Sequence, residues 1–238
     1  MFDVLETGLD GLDSILAGGI RYPAGSAAFV FITGGAGSGK TVLTLELAVR
    51  AWLDAPDGAT CLYYSVEHSP QNLFAKLEHD FDFYGIDADI RPIEQEVPNK
   101  LCLEASLDGR TTRLVLTQAS AATLDERPSG SAVDVEWILA EIGNYRLAGS
   151  VHMACIDNIS LLMTDLDYYA KRAALLATRR QLMAQRIHGI FVQEVTERRD
   201  LRGPSAEEFS TDCLIELAFQ DEAGSFKART LEIAKARH

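Results

Sequence analysis

Residues 34–41 read Gly34-Gly35-Ala36-Gly37-Ser38-Gly39-Lys40-Thr41. Glycines at this spacing let the backbone curl so that successive N–H groups point at one set of phosphate oxygens. Lys40 has the reach to contact the β- and γ-phosphates of a nucleotide, and the Thr41 hydroxyl can bind magnesium. A helix opening near Gly39 adds its positive end, so the phosphate-binding segment extends to Val42. ATP and Mg2+ are the ligands this pattern implies.

Polar residues at three further strand ends belong to the same chemistry. Asp157 ends the apolar run VHMACI (151–156), where an acid suits a magnesium contact beside bound phosphate. The bland alternative is a turn or helix-capping aspartate. Glu67 directly follows CLYYSV (61–66), where a carboxylate can orient a water molecule and accept its proton. From spacing alone it is equally a solvated loop glutamate. Gln193 and Glu194 end IFVQEV (190–195), where one of them could sense the γ-phosphate or simply be an edge polar residue.

These residues need a scaffold that ends several strands at one place. Residues 27–33 (AAFVFIT) form a continuous apolar run that stops at glycine, the pattern of a strand buried on both faces. The spacing of Val42, Leu43, Leu45, Leu47, Ala48 and Trp52 predicts a mostly buried helix over 40–53. A strand over 61–66 follows. Ser69-Pro70 then reads as an N-cap and first helical residue, opening a helix that runs to about His79. Residues 85–132 are the least legible, with a short strand at 113–118 and a loop at 119–131. A helix over 133–145 leads to the strand 151–156. A long helix over 167–188 is stopped by Gly189, and the strand 190–195 follows. The apolar runs 213–220 and 226–234, separated by DEAGS, predict a hairpin. Alternating strands and helices make an α/β fold with a mainly parallel sheet, helices on both faces and a C-terminal antiparallel hairpin. Ligands in such sheets bind beyond the carboxyl ends of the strands.

The chain has 238 residues, 47% of them hydrophobic, enough for a large core in one domain over 1–238. Its formal net charge of −13 opposes nucleic acid and anionic lipid on average. Cys61, Cys102, Cys155 and Cys213 lack paired metal-ligand spacing and read as buried thiols in a reducing compartment. The first residues lack the basic and apolar segments of a signal peptide, and no run reaches the roughly 18 apolar residues of a membrane span. The expectation is a soluble, cytoplasmic protein.

Three stretches resemble the KaiC-like branch of the RecA superfamily of P-loop ATPases. They are the lead-in Thr7-Gly8-Leu9-Asp10-Gly11-Leu12-Asp13 with Gly18-Gly19-Ile20 and Pro23-Ala24-Gly25-Ser26, the segment Tyr64-Ser65-Val66-Glu67-His68-Ser69-Pro70, and the end Thr230-Leu231-Glu232-Ile233-Ala234-Lys235-Ala236-Arg237-His238. The resemblance implies that Glu67 activates water and Asp157 is the magnesium-associated acid. It implies that Lys235 and Arg237 reach a neighbouring subunit's nucleotide as charge-stabilising fingers. The bland alternative for that pair is a solvated strand end. The resemblance further implies a homo-oligomer, a hexameric ring with ATP at each subunit boundary, and a protein partner. Departures stand out. The clock protein of this branch carries two tandem copies, and this chain has one. His68 replaces a frequent second glutamate, Asn158 a frequent serine, and Arg21-Tyr22 resembles a small insertion. Counting back from Asp212, Glu208 and Phe209 stand where the self-phosphorylating half has a Ser-Thr pair, although Ser210-Thr211 lies close by. The chain stops where relatives continue, so a piece of a longer protein is expected.

The leading function is a hydrolysing, oligomeric ATPase acting as a regulatory motor or switch. A recombinase-like ATPase is an alternative, with Arg198, Arg199 and Arg202 of the loop 196–204 placed to meet DNA phosphates. An ATP-dependent assembly switch without turnover and an autokinase are two more.

Overall fold

The computed structural model describes residues 1–85, 88–93, 99–119, 135–163, 166–195, 211–222 and 226–237. The predicted loop 119–131, apart from Ala119, lies outside the described residues, as do the loop 196–204, Glu208, Phe209 and Ser210. A small two-stranded sheet comes first, pairing β1 (Phe2–Leu5) with β2 (Ile20–Pro23) around helix α1 (Asp10–Ile15). The remaining elements are β3 (Phe29–Gly34), α2 (Lys40–Asp54), β4 (Ala59–Ser65), α3 (Pro70–Tyr84), β5 (Asp89–Ile93), β6 (Lys100–Leu107) and β7 (Arg110–Gln118), then α4 (Val135–Ala148), β8 (Ser150–Asp157), α5 (Ile159–Leu162), α6 (Tyr168–Gln185), β9 (His188–Glu194), β10 (Cys213–Glu222) and β11 (Phe226–Ala236). Nine strands form the main sheet in the order β11-β10-β3-β9-β8-β4-β7-β6-β5. The run from β10 to β7 is parallel throughout. This is the expected α/β architecture, closed at one edge by the antiparallel β10–β11 hairpin.

Alternation along β3 explains why its sequence is apolar without a break. Val30 and Ile32 pack on one face with Leu45, Val49 and Trp52 of α2. Phe29 and Phe31 turn to the other face, with Phe191 of β9 and with Leu139, Ile142, Leu175 and Leu182 of α4 and α6. The Phe29 and Phe191 ring centroids lie 4.4 Å apart. A strand between two helical layers has no solvent side, so period-2 polarity disappears. All four cysteines are buried, and burial pushes the Cys61 and Cys213 thiols up to about 12.

Two expectations need correction. The long helix ends at Gln185, not at Gly189, and its left-handed cap residue is Arg186, at φ 58°. Gly189 lies inside β9, where a Cβ would collide with the Phe191 ring. It is a packing glycine, and a glycine beyond a helical run reads the same in sequence. The second correction concerns the poorly legible middle. There β5, β6 and β7 form an antiparallel meander on the sheet's other edge. Pro92 sits in the edge strand β5, the position in a sheet that tolerates a missing N–H.

The end of the sheet away from the phosphate loop is fastened by two polar groups. Asp212, fully buried, accepts from the Phe29 N–H at 3.0 Å and from Arg179 at 3.1 Å, and Arg237 Nε also donates to it. Nearby, His188 Nδ1 accepts from the Ala28 N–H at 3.0 Å, with the Tyr22 and His152 rings edge-on to it. Burial, then the neighbouring His152, lowers the His188 pKa to about 4. The unfolded chain therefore binds a proton that the folded one refuses between about pH 6.5 and 4. This contribution is present above that window and is lost as pH falls through it. For His188 alone the loss by pH 5 is about 2 kcal/mol. Denaturant unfolding at pH 7.5 and pH 5 should show this loss, and His188→Asn, which keeps an acceptor near Nδ1, should shrink it. An equal pH dependence in the variant would show that His188 is not its source.

Candidate functional site

Parallel pairing brings the loops after β3, β4, β8 and β9 to one edge of the sheet. In register, Gly34 lies beside Glu194 and Ser65 beside Asp157. Beyond these ends is a cleft of about 380 Å³. Ala36, Gly37, Gly39, Lys40, Thr41 and Val42 line it from the loop and α2, Glu67 and His68 from the end of β4, Asp157 from β8 and Glu194 from β9. Residues scattered over more than 150 positions of sequence thus share one wall.

The loop geometry follows from its glycines. Gly37 and Gly39 have φ of 73° and 103°, a region where a Cβ is strained. At Gly34 a Cβ would meet the Leu217 carbonyl oxygen and Ser38 Oγ, because β10 runs directly alongside. Lys40 Nζ donates to the Gly35 carbonyl at 2.8 Å, spanning the loop from within. Ser38 Oγ is buried and has no hydrogen-bond partner among the described residues. Gly34, Gly35 and Ser38 thus shape the loop, while the other residues of the 34–42 segment line the cleft.

The acid wall is held from β4. Tyr63 OH donates to Asp157 Oδ2 at 2.9 Å, and the Val66 N–H donates to the Asp157 carbonyl at 2.7 Å. Asp157 is only 2% exposed, yet it borders the cleft, whereas Glu67 at the strand tip is exposed. Ser65 Oγ accepts from the His68 N–H at 3.0 Å and holds the turn that carries Glu67. Ser69 then caps α3, its Oγ accepting from the Asn72 N–H at 3.2 Å, as the Ser-Pro pair predicts. Asp157 does not cap a helix. That task falls to Asn158, whose Oδ1 accepts from the Ser160 N–H at 3.1 Å at the start of α5. Ser160 Oγ in turn accepts from the Glu194 N–H at 3.1 Å.

A hydroxyl from Thr41 and a carboxylate from Asp157 on one wall suit Mg2+, a hard cation that takes few protein oxygens and completes its shell with phosphate and water. Among the described residues, no group of three or more His, Cys, Asp and Glu side chains gathers as a metal cage.

Two cleft residues escaped the sequence reading. Lys76 enters from α3, and Arg229 enters from β11, with its guanidinium 5.9 Å from the Phe219 ring centroid. Lys76 follows from counting turns beyond the Ser69 cap, but Arg229 depends on hairpin register, which no local pattern announces. Gln193 is not among the residues lining the cleft. Neither are Lys235 and Arg237. Lys235 sits beside a bulge, opposite Leu214, and Arg237 is bound to Asp212 at the opposite end of the sheet.

The family model described as ATPase: KaiC matches residues 5–238. A KaiC-like protein from the hyperthermophilic archaeon Pyrococcus horikoshii has a crystal structure that aligns with a TM-score of 0.65 and 19% identity, covering 100% of this chain and 90% of that one. At that identity the likeness concerns the fold. A search of curated proteins returned no match.

Lys40→Ala should weaken ATP binding about 10- to 100-fold, the effect of losing one charge-assisted hydrogen bond. Titration with a fluorescent ATP analogue measures it, and an unchanged affinity would remove Lys40 from the nucleotide site.

Proposed function

This chain belongs to the KaiC ATPase family, and we propose that residues 1–238 form one domain that hydrolyses ATP and works in the cytoplasm as an oligomeric regulatory switch. The observation that carries this reading is the meeting of Lys40, Thr41, Glu67 and Asp157 in one cleft at the strand ends.

In this reading the backbone N–H groups of the loop and the first turn of α2 bind the phosphates. Lys40 exchanges the Gly35 carbonyl for phosphate oxygens. Thr41 and Asp157 hold Mg2+, which when bound neutralises charge on the β- and γ-phosphates. Glu67, exposed at the tip of β4, orients a water molecule in line with the γ-phosphate and accepts its proton. The water oxygen forms the new bond to phosphorus, and the bond to the ADP oxygen breaks.

Arg237 serves a different cleft. In its own chain it lies at the far end of the sheet, so any nucleotide it reaches belongs to another copy. Its Nε is bound to Asp212, and the guanidinium carries further N–H donors with which to meet that phosphate. A head-to-tail contact of this kind, repeated and closed, makes a ring, and six subunits is the size we propose. Lys235, on the same strand, would act beside it. A protein partner reads the state of the ring.

Two measurements test the proposal. ATP hydrolysis per subunit should rise with protein concentration if a neighbour completes the site. Glu67→Gln should lower kcat about 100-fold or more while ATP still binds. Activity independent of concentration would remove the neighbour's role. Binding without turnover in the unaltered protein would leave an ATP-bound switch.

A further inference from the structure

We infer that Tyr63 is the positioning residue for the metal-binding carboxylate, and that its hydroxyl tunes how well this site uses Mg2+. The inference rests on the reading of Asp157 as a magnesium-associated acid.

Tyr63 and Asp157 are 94 residues apart in sequence and occupy neighbouring strands, β4 and β8. Tyr63 is fully buried and packs in the core on the α2 side of the sheet. Its ring is therefore fixed by packing before any ligand arrives. The phenolic O–H donates to Asp157 Oδ2 at 2.9 Å, which restricts rotation of the carboxylate about its last torsion. One bond to Oδ2 leaves the carboxylate with further lone pairs for a cation in the cleft that Asp157 borders. A carboxylate already held in one orientation loses less rotational freedom when it takes up a hydrated cation. Partners of this outer kind, which fix a ligating group without touching the metal, typically change metal affinity about 10- to 100-fold.

The same strand carries Glu67 at its tip. β4 and the turn after it therefore grip Asp157 twice, through the Tyr63 hydroxyl and the Val66 N–H, and the same turn presents the carboxylate proposed to activate water. Metal position and water position are both referred to β4 and the turn that follows it.

Tyr63→Phe removes a single oxygen and keeps the ring in the core. The readout is ADP affinity, measured by calorimetry or a fluorescent analogue across a Mg2+ titration and again in EDTA. The Mg2+ midpoint should rise about 10-fold in Tyr63→Phe, with metal-free ADP affinity unchanged. In an Asp157→Asn background, Tyr63→Phe should add little, because the two groups act as one unit. Tyr64→Phe, which alters a buried tyrosine on the sheet's other face, should leave the Mg2+ midpoint where it is. An unshifted midpoint in Tyr63→Phe, or an equal shift in EDTA, would overturn the inference. So would a full additional effect in Asp157→Asn, or an equal shift in Tyr64→Phe. If Mg2+ has no influence on ADP binding by the unaltered protein, the magnesium reading of Asp157 fails as well, and that result is distinct from a selective failure in Tyr63→Phe. Should Tyr63→Phe not fold, the Mg2+ titration of Asp157→Asn still decides: a midpoint unchanged from the unaltered protein would leave Tyr63 no metal ligand to position.

Discussion

Parallel hydrogen bonding across β3, β9, β8 and β4 is the constraint on which everything else depends. A parallel strand must be re-entered from the same end, so each crossover returns the chain to the bottom of the sheet and each functional loop emerges at the top. The register then aligns the tips, with Gly34 beside Glu194 and Ser65 beside Asp157. No contact between the loop and the acids is needed to bring them together, because the sheet has already done so. A shift of one residue in β8 would turn Asp157 to the opposite face of the sheet and away from Tyr63.

The two ends of this sheet carry different polar groups. At the lower end, the Asp212 carboxylate is surrounded by the Phe29 N–H, Arg179 and Arg237, and its partners come from a strand, a helix and the last described residue. Breaking such a buried pair costs about 3–5 kcal/mol, since the remaining charge stays out of water. At the upper end, the Ser38 and Thr33 hydroxyls are buried without partners among the described residues, as Arg179 Nε is beside Asp212 at the lower end. Residues of the loop line a cleft. Incomplete satisfaction is expensive in a core but suits a surface that a polyanion will cover. Rigidity at one end of β3 holds still the other end, where phosphate is to be met.

Local signals were sufficient where chemistry is local. The phosphate loop, the helix behind it, the Ser69 cap and the strands ending at Glu67, Asp157 and Glu194 all follow from spacing and periodicity within a dozen residues. What stayed hidden depends on long-range pairing. Arg229 reaches the cleft only because β11 returns antiparallel to β10, and Tyr63 meets Asp157 only because β4 and β8 are neighbours. In sequence Tyr63 is one more apolar residue of CLYYSV, and its hydroxyl carries no mark of its purpose. Gly189 misled for a related reason. A glycine after a helical run reads as a cap, but here the missing Cβ makes room for the Phe191 ring, and a charged residue, Arg186, takes the left-handed position.

The charge pattern joins the two ends. A chain of formal net charge −13 would repel a nucleotide polyanion unless its field were reversed locally. Lys40, Lys76 and Arg229 gather in the cleft against Glu67, Asp157 and Glu194, so the site itself is balanced while the rest of the surface is acidic. Neutrality before phosphate arrives means that ATP brings excess negative charge, and Mg2+ can offset only part of it. The chain's own Arg237 is held by Asp212 at the opposite end of the sheet, so it adds nothing to the balance of this cleft. In the ring proposed above, Arg237 would join the two ends, its Nε on the Asp212 that fastens β3 and its other guanidinium nitrogens carrying the N–H donors that meet phosphate.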